Sequence, residues 1–378
     1  MLKLFLFLKM SKEILLKNIF QECNNLFKLN HFSDALSLVS KYANQEPILI
    51  KNFLFLNLVG FINLNLKDWN SAIINFKKAI EINKNYIPAY LNLAIALYDK
   101  GDLEESFKNL SKILKIDPNN KRAEENIIKI LNHINMVNES DPFSRANNEL
   151  QKINLDLDLL KKIDDLFIDN LLSKSRLITS NFLTDLDFRE HQLFIHNRSD
   201  LNCERHIKIF KKFETISKNC FSCFKIIIHI EKVYDLIKLS LLFNNLQLLN
   251  NFEMKCRIDF KKKNYRGYIY CDNIEELEFI SKNLTKILDM NFQNYYKLEK
   301  RRGCSEFSET FHKFKKINSN PDKMFQYKQD WSQNEKILDK QNYIDGIPIR
   351  RNIKKPLKGM TLNYFLIINN WINFSKTI

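Results

Sequence analysis

Apolar side chains mark this chain in two different rhythms. In the N-terminal half they recur at helical spacing, and the pattern repeats after 34 residues. With Phe53 as position 1 of a unit, Gly60, Ala72, Phe76 and Ala79 fall at positions 8, 20, 24 and 27. One period on, Tyr90, Leu93, Ala94, Gly101, Ser106, Leu110, Ile113 and Pro118 take positions 4, 7, 8, 15, 20, 24, 27 and 32. One unit back, starting near Leu16, Ala35, Val39, Tyr42 and Pro47 take positions 20, 24, 27 and 32, with three extra residues before the next unit. Small side chains at fixed places let helices approach closely, and proline ends a helix because it lacks an N–H. The pattern predicts three helical hairpins over residues 16–135, with a closing helix near Lys121–Asn135.

The second rhythm begins near residue 221. CFKIIIHI (223–230) reads as a strand and 231–246 as a helix. EMKCRIDFKK (253–262) and YRGYIYCD (265–272) alternate as two strands joined by a lysine-rich turn. Residues 273–289 read as a helix, capped by Asn273 with acids in its first turn, and 294–307 begins as a strand. The order β-α-β-β-α-β is that of a ferredoxin-like split βαβ domain, an antiparallel four-stranded sheet with two helices on one face. Between the halves, MVNESDPFSRANNEL reads as a linker, and apolar residues from Leu150 to Ile168 keep helical spacing. The tail after Phe307 is irregular and aromatic and ends in an apolar helix, Leu362–Phe374.

The 34-residue unit resembles the tetratricopeptide repeat, a family with small residues at positions 8, 20 and 27 and proline at 32. Departures are Cys23 at position 8 of the first unit, Lys67 at position 15 of the second, and Tyr42 and Ile113 at position 27. The resemblance implies an α-solenoid whose concave groove binds a peptide or partner protein. It puts Leu54, Asn57, Phe61, Leu64, Pro88, Leu91, Ile95 and Tyr98 along that groove. This lining is mostly apolar and lacks the basic pairs with which some members clamp a C-terminal carboxylate. An apolar partner, or the protein's own downstream segment, suits it better; simple packing of a short solenoid is the plain alternative. The expected organisation is an extension at 1–15, the solenoid at 16–135, linker and helices at 136–175, an α+β domain at 176–310, and a tail at 311–378.

Composition narrows the chemistry. The 378 residues carry a net charge of +15, which invites nucleic acid or a membrane surface. Lysine is interspersed with Asn, Ile and Phe along the whole chain, however, as A/T-rich codons produce. Only 6 glycines occur, and no two lie close enough to cradle a phosphate, so P-loops, dinucleotide fingerprints and nucleophile elbows are excluded. No stretch approaches the roughly 20 apolar residues of a membrane span. The apolar run Leu4–Leu8 is too short for a secretion signal, and Met10 is the expected start. The 7 cysteines are therefore read as reduced thiols in the cytoplasm.

Cys203 and His206 form a Cys-x2-His pair; thirteen residues on, Cys220 and Cys223 form Cys-x2-Cys. Two close pairs can grip one tetrahedral ion, so the spacing is that of a structural zinc site. Packed free thiols are the alternative, since Cys256, Cys271 and Cys304 lie on or beside the expected strands. An iron–sulfur cluster lacks a compact cysteine motif. Arg266, Gly267, Tyr268 and Tyr270 partly match the first RNP motif of RNA-recognition domains, which gives an RNA-binding alternative through the sheet. A third reading is an enzyme with its site near Cys304, which follows Arg301 and Arg302 and has His312 as the nearest base in sequence. The adaptor reading leads.

Overall fold

The computed structural model describes residues 2–136, 141–153, 163–180, 186–195, 203–260, 264–293, 295–318, 323–342 and 355–377. The chain forms two compact units, Met1–Glu124 with Lys336–Ile353, and Glu125–Glu335 with Lys354–Ile378.

The first unit is built from helical hairpins. They are α1 (Leu2–Lys28) with α2 (Phe32–Gln45), α3 (Phe53–Leu66) with α4 (Trp69–Ile82), and α5 (Ile87–Lys100) with α6 (Leu103–Ile116). Nothing in residues 1–28 breaks a helix, there being no Gly or Pro, so α1 runs through the expected extension at 1–15. All three hairpins turn in the same way. Asn30, Lys67 and Gly101 sit in the left-handed region, at φ of 58, 65 and 94°. After each, the next residue donates its N–H back five residues, His31 to Leu26, Asp68 to Asn63 and Asp102 to Leu97. The hairpin geometry of the first unit thus matches the other two, although its sequence matches least. Cys23, Ala35, Ala72 and Ala79 are fully buried where helices meet. Gly60 lies against the Phe76 ring so closely that an added Cβ would sit 2.5 Å from it.

The second unit holds a five-stranded antiparallel sheet among the described residues. Its strands are β1 (Gln192–Ile195), β2 (Phe224–Ile230), β3 (Glu253–Asp259), β4 (Asn264–Cys271) and β5 (Tyr296–Arg302), in the order β1-β3-β4-β2-β5. β1 lies in a stretch where the sequence shows no clear period. A four-residue strand is too short to establish alternation by itself, and pairing with β3 creates it.

The helices preceding the sheet are α7 (Lys121–Leu131), which crosses the boundary of the units, α8 (Pro142–Gln151) and α9 (Asp165–Thr179). α8 arises inside the stretch expected as linker, because the Asp141 carboxylate caps it and Pro142 suits its first turn. Around the sheet come α10 (Cys203–Phe213), the short α11 (Lys218–Phe221), α12 (Val233–Asn245), α13 (Ile274–Phe292), α14 (Ser305–Thr310), α15 (Trp331–Asn342) and α16 (Leu362–Ser375).

α12 and α13 both cover one sheet face. Gly267 of β4 meets Leu239 and Phe243 of α12, and Lys300 of β5 reaches Glu278 of α13 at 2.5 Å. α16, the apolar helix of the tail, docks against α8, α12 and β1. Tyr364 donates to Ser240 at 2.7 Å and Trp371 to the His191 carbonyl at 2.9 Å. The aromatic tail before it packs too: Phe307, Phe314 and Trp331 join Ile216 and Cys220 in one core.

Candidate functional site

In the first unit, α3 and α5 supply the groove positions. The Asn52 side chain caps α3 by accepting from the Leu54 and Phe55 N–H groups, which sets where the helix and its exposed stripe begin. Leu54, Asn57, Phe61, Leu64, Leu91, Ile95 and Tyr98 are all half-buried, and Pro88 is exposed. The residues between them, such as Phe55, Leu58, Leu93 and Leu97, point into the core. That is the division a 3.6-residue period imposes. Asn92 donates to Asn57 at 3.1 Å, tying α5 to α3 across the stripe. Phe61 stands edge-on to Phe27 with ring centroids 5.4 Å apart, so its ring is held as a fixed apolar wall. Asn92 went unremarked in the sequence; its place beside Asn57 follows from the 34-residue period plus one.

In the second unit, His206 of α10 and Cys220 of α11 come together, Nδ1 and Sγ lying 2.8 Å apart and both buried. Cys223 stands three residues on, just ahead of β2, and is half-buried. The side chain of Cys203 lies outside the described residues. Among the described residues, no three His, Cys, Asp or Glu side chains gather to hold a metal ion. The cysteines among them are free thiols.

Tyr268 and Tyr270 lie on the sheet face opposite α12 and α13, since they follow Gly267 by one and three residues and successive side chains alternate. Tyr268 is only 6% exposed, and Tyr270 is half-buried. Arg266 pairs with Asp259 at 3.6 Å. Cys304 accepts from Lys225 Nζ at 3.2 Å. His312 bonds instead to the Ser308 carbonyl at 3.0 Å, and among the described contacts no histidine reaches Cys304. Lys225 was not singled out from sequence, because an isolated lysine in an apolar strand carries no motif.

No helix among the described residues is long and apolar enough to cross a membrane.

The tetratricopeptide repeat family pattern matches residues 87–120. The chain is 26% identical over 130 residues to the Hsp70-Hsp90 organising protein of Plasmodium falciparum, an alignment covering 32% of this chain and 50% of that protein. It thus spans about half the length of that curated relative. Among solved structures, the first TPR of Spaghetti (RPAP3) bound to HSP90 peptide SRMEEVD matches at 23% identity, over 30% of this chain and 89% of that one, with a TM-score of 0.28. The Arabidopsis OM64 TPR domain matches at 19% identity, over 32% and 96%, with a TM-score of 0.29.

Proposed function

We propose that this chain, a tetratricopeptide-repeat protein, is an adaptor whose solenoid groove holds an apolar segment of a partner protein. The observation that carries the reading is the stripe on α3 and α5. Its Phe61, Leu64, Leu91 and Ile95 stay half-exposed around the Asn57–Asn92 bridge, and an amide pair of this kind can bond a bound backbone while the apolar positions select side chains. The relative from Plasmodium falciparum is named for organising Hsp70 and Hsp90, which suggests a chaperone segment as a different occupant, such as the acidic HSP90 peptide SRMEEVD bound in the RPAP3 structure. The lining argues against that occupant, because none of its eight positions is basic.

Titration of the full chain with two labelled peptides separates these occupants. One is apolar and uncharged; the other ends in Glu-Glu-Val-Asp. The apolar peptide is expected to bind, and binding is expected to vanish in a Phe61→Asp, Ile95→Asp double variant. Tighter binding of the acidic peptide, or indifference to the double variant, overturns the apolar reading.

For the second unit, we read the strand order β3-β4-β2-β5 with α12 and α13 as a split βαβ domain extended by β1. A structural zinc held by Cys203, His206, Cys220 and Cys223 is the further proposal there, supported by the contact between His206 and Cys220. Metal analysis of the purified full chain tests it, and less than stoichiometric zinc sinks it. A cytoplasmic location accords with free thiols and is tested by fractionation.

A further inference from the structure

Among the described residues, the Cys304 thiol touches the nitrogen of a lysine. Lys225 Nζ donates to Cys304 Sγ at 3.2 Å, although the two residues lie 79 apart in the chain. β2 delivers the lysine. Its pairing with β4 sets Lys225 opposite Tyr270, whose ring centre is 5.4 Å from the ammonium. Only 9% of Lys225 is exposed, so packing holds the side chain at the sulfur.

The sulfur arrives from the end of β5. The strand stops at Arg302, and Gly303 turns the chain in the left-handed region, at φ of 61°. A Cβ added there would sit 2.3 Å from the Phe314 ring, so the turn requires glycine. Cys304 then opens α14, yet its side chain makes no capping bond and is turned to Lys225 instead. The thiol is half-buried, within reach of a small solute.

We propose that Lys225 and Cys304 are a redox-modification site, where a hydroperoxide converts this contact into a covalent Nζ–Sγ bond. In the first step the sulfur attacks the peroxide. An S–O bond forms, the O–O bond breaks, and sulfur loses two electrons to the peroxide. Hydrogen peroxide leaves as water, taking the thiol proton, and Cys304 becomes a sulfenic acid. In the second step Lys225 gives one ammonium proton to solvent and its nitrogen attacks the sulfur. The S–O bond breaks, and the hydroxyl leaves as water with a second proton from that nitrogen. No further electrons move, and the product is a sulfenamide, a bond that thiols reduce. It ties β2 to the helix that carries Phe307 into the aromatic core. Cys223 is the competing partner, because its carbonyl accepts from the Gly303 N–H at 2.8 Å and it too is half-buried. Lys225 is the better placed, since its nitrogen already meets the sulfur.

The test treats the full chain with hydrogen peroxide, alkylates it without reduction, and weighs the tryptic peptides. The expected product is a linked peptide pair lighter by two hydrogens than its parts. Its chain should be uncut after Lys225, with Cys220 and Cys223 both alkylated. Dithiothreitol before alkylation should release it. Lys225→Arg keeps the cation but supplies a poor nucleophile, so the linkage should vanish and dimedone should trap the sulfenic acid at Cys304. The unaltered protein alone also decides the matter. A Cys223–Cys304 disulfide as its oxidised product overturns the proposal, as does Cys304 recovered only as thiol or sulfinic acid. Linkage that persists in Lys225→Arg overturns it equally.

Discussion

The guanidinium of Arg302 lies 4.1 Å from the centre of the Phe221 ring and donates Nε to the Phe221 carbonyl at 3.1 Å. Its Nη1 donates to the Phe325 carbonyl at 3.1 Å, and the Phe314 ring centre is 4.8 Å away. Burial pulls this guanidinium down to about 10, far below its ordinary range. The cation is therefore the polar anchor of the aromatic core formed by the tail. Arg302→Ala is expected to cost about 2–4 kcal/mol in urea unfolding, from the lost charge-assisted bonds and ring contacts. Arg302→Lys should recover only part of this, because an ammonium lacks the fork. A loss below about 0.5 kcal/mol for Arg302→Ala, the level of an ordinary surface change, contradicts the anchor role.

The hairpin turns give a prediction of opposite sign. Lys67 adopts φ of 65° where the next unit has Gly101 at 94°. A side chain in that region costs roughly 1–2 kcal/mol, and glycine avoids the cost. Lys67→Gly should therefore raise stability by about 1 kcal/mol, and Gly101→Ala should lower it by a similar amount. Chemical denaturation followed by helical circular dichroism measures both.

Cys23 sits at the crowded position 8 of the first hairpin, and burial, with the Glu22 charge as a smaller contributor, pushes its thiol up to about 11. The folded chain then keeps this proton while the unfolded chain, near 9.0, loses it. More protons bound in the folded state means stability falls as pH rises. The loss should run from about pH 9 to about pH 11, with no contribution below that window, and Cys23→Ala should flatten that part of the profile. At pH 8 a thiol reagent should label half-buried Cys223 and Cys304 well before buried Cys23 and Cys256. Fast labelling of Cys23 in the folded state contradicts the packing described.

Trp371 on α16 is fully buried and bonded to the His191 carbonyl. Trp371→Ala should cost about 3–5 kcal/mol, as large aromatic deletions do. Tyr364→Phe, which removes the bond donated to Ser240 while that hydroxyl keeps its own bond to the Ile237 carbonyl, should cost about 1 kcal/mol. Thermal melts of the full chain distinguish a docked helix from an accessory one, for which neither change would register.

Local patterns determined much of this protein. The 34-residue spacing of Gly60, Ala72, Ala94 and Ser106 specified the solenoid, because helix contacts between neighbouring repeats depend on short-range period. The apolar run Ile226–Ile228 and the alternation around Tyr268–Tyr270 specified strands, and Asn273 marked the start of α13. Tertiary structure alone decided what lies far apart in sequence. Glu335 accepts from Arg205, Lys218 and Tyr327, and Asn147 accepts from the Leu362 N–H. Lys255 and Arg257 beside Tyr268, and Lys225 beside Tyr270, come from two strands far apart in the chain. A cluster assembled by strand pairing leaves no spacing in the chain, since register follows from which faces are buried, and burial is settled only when the whole sheet has its helices on one side.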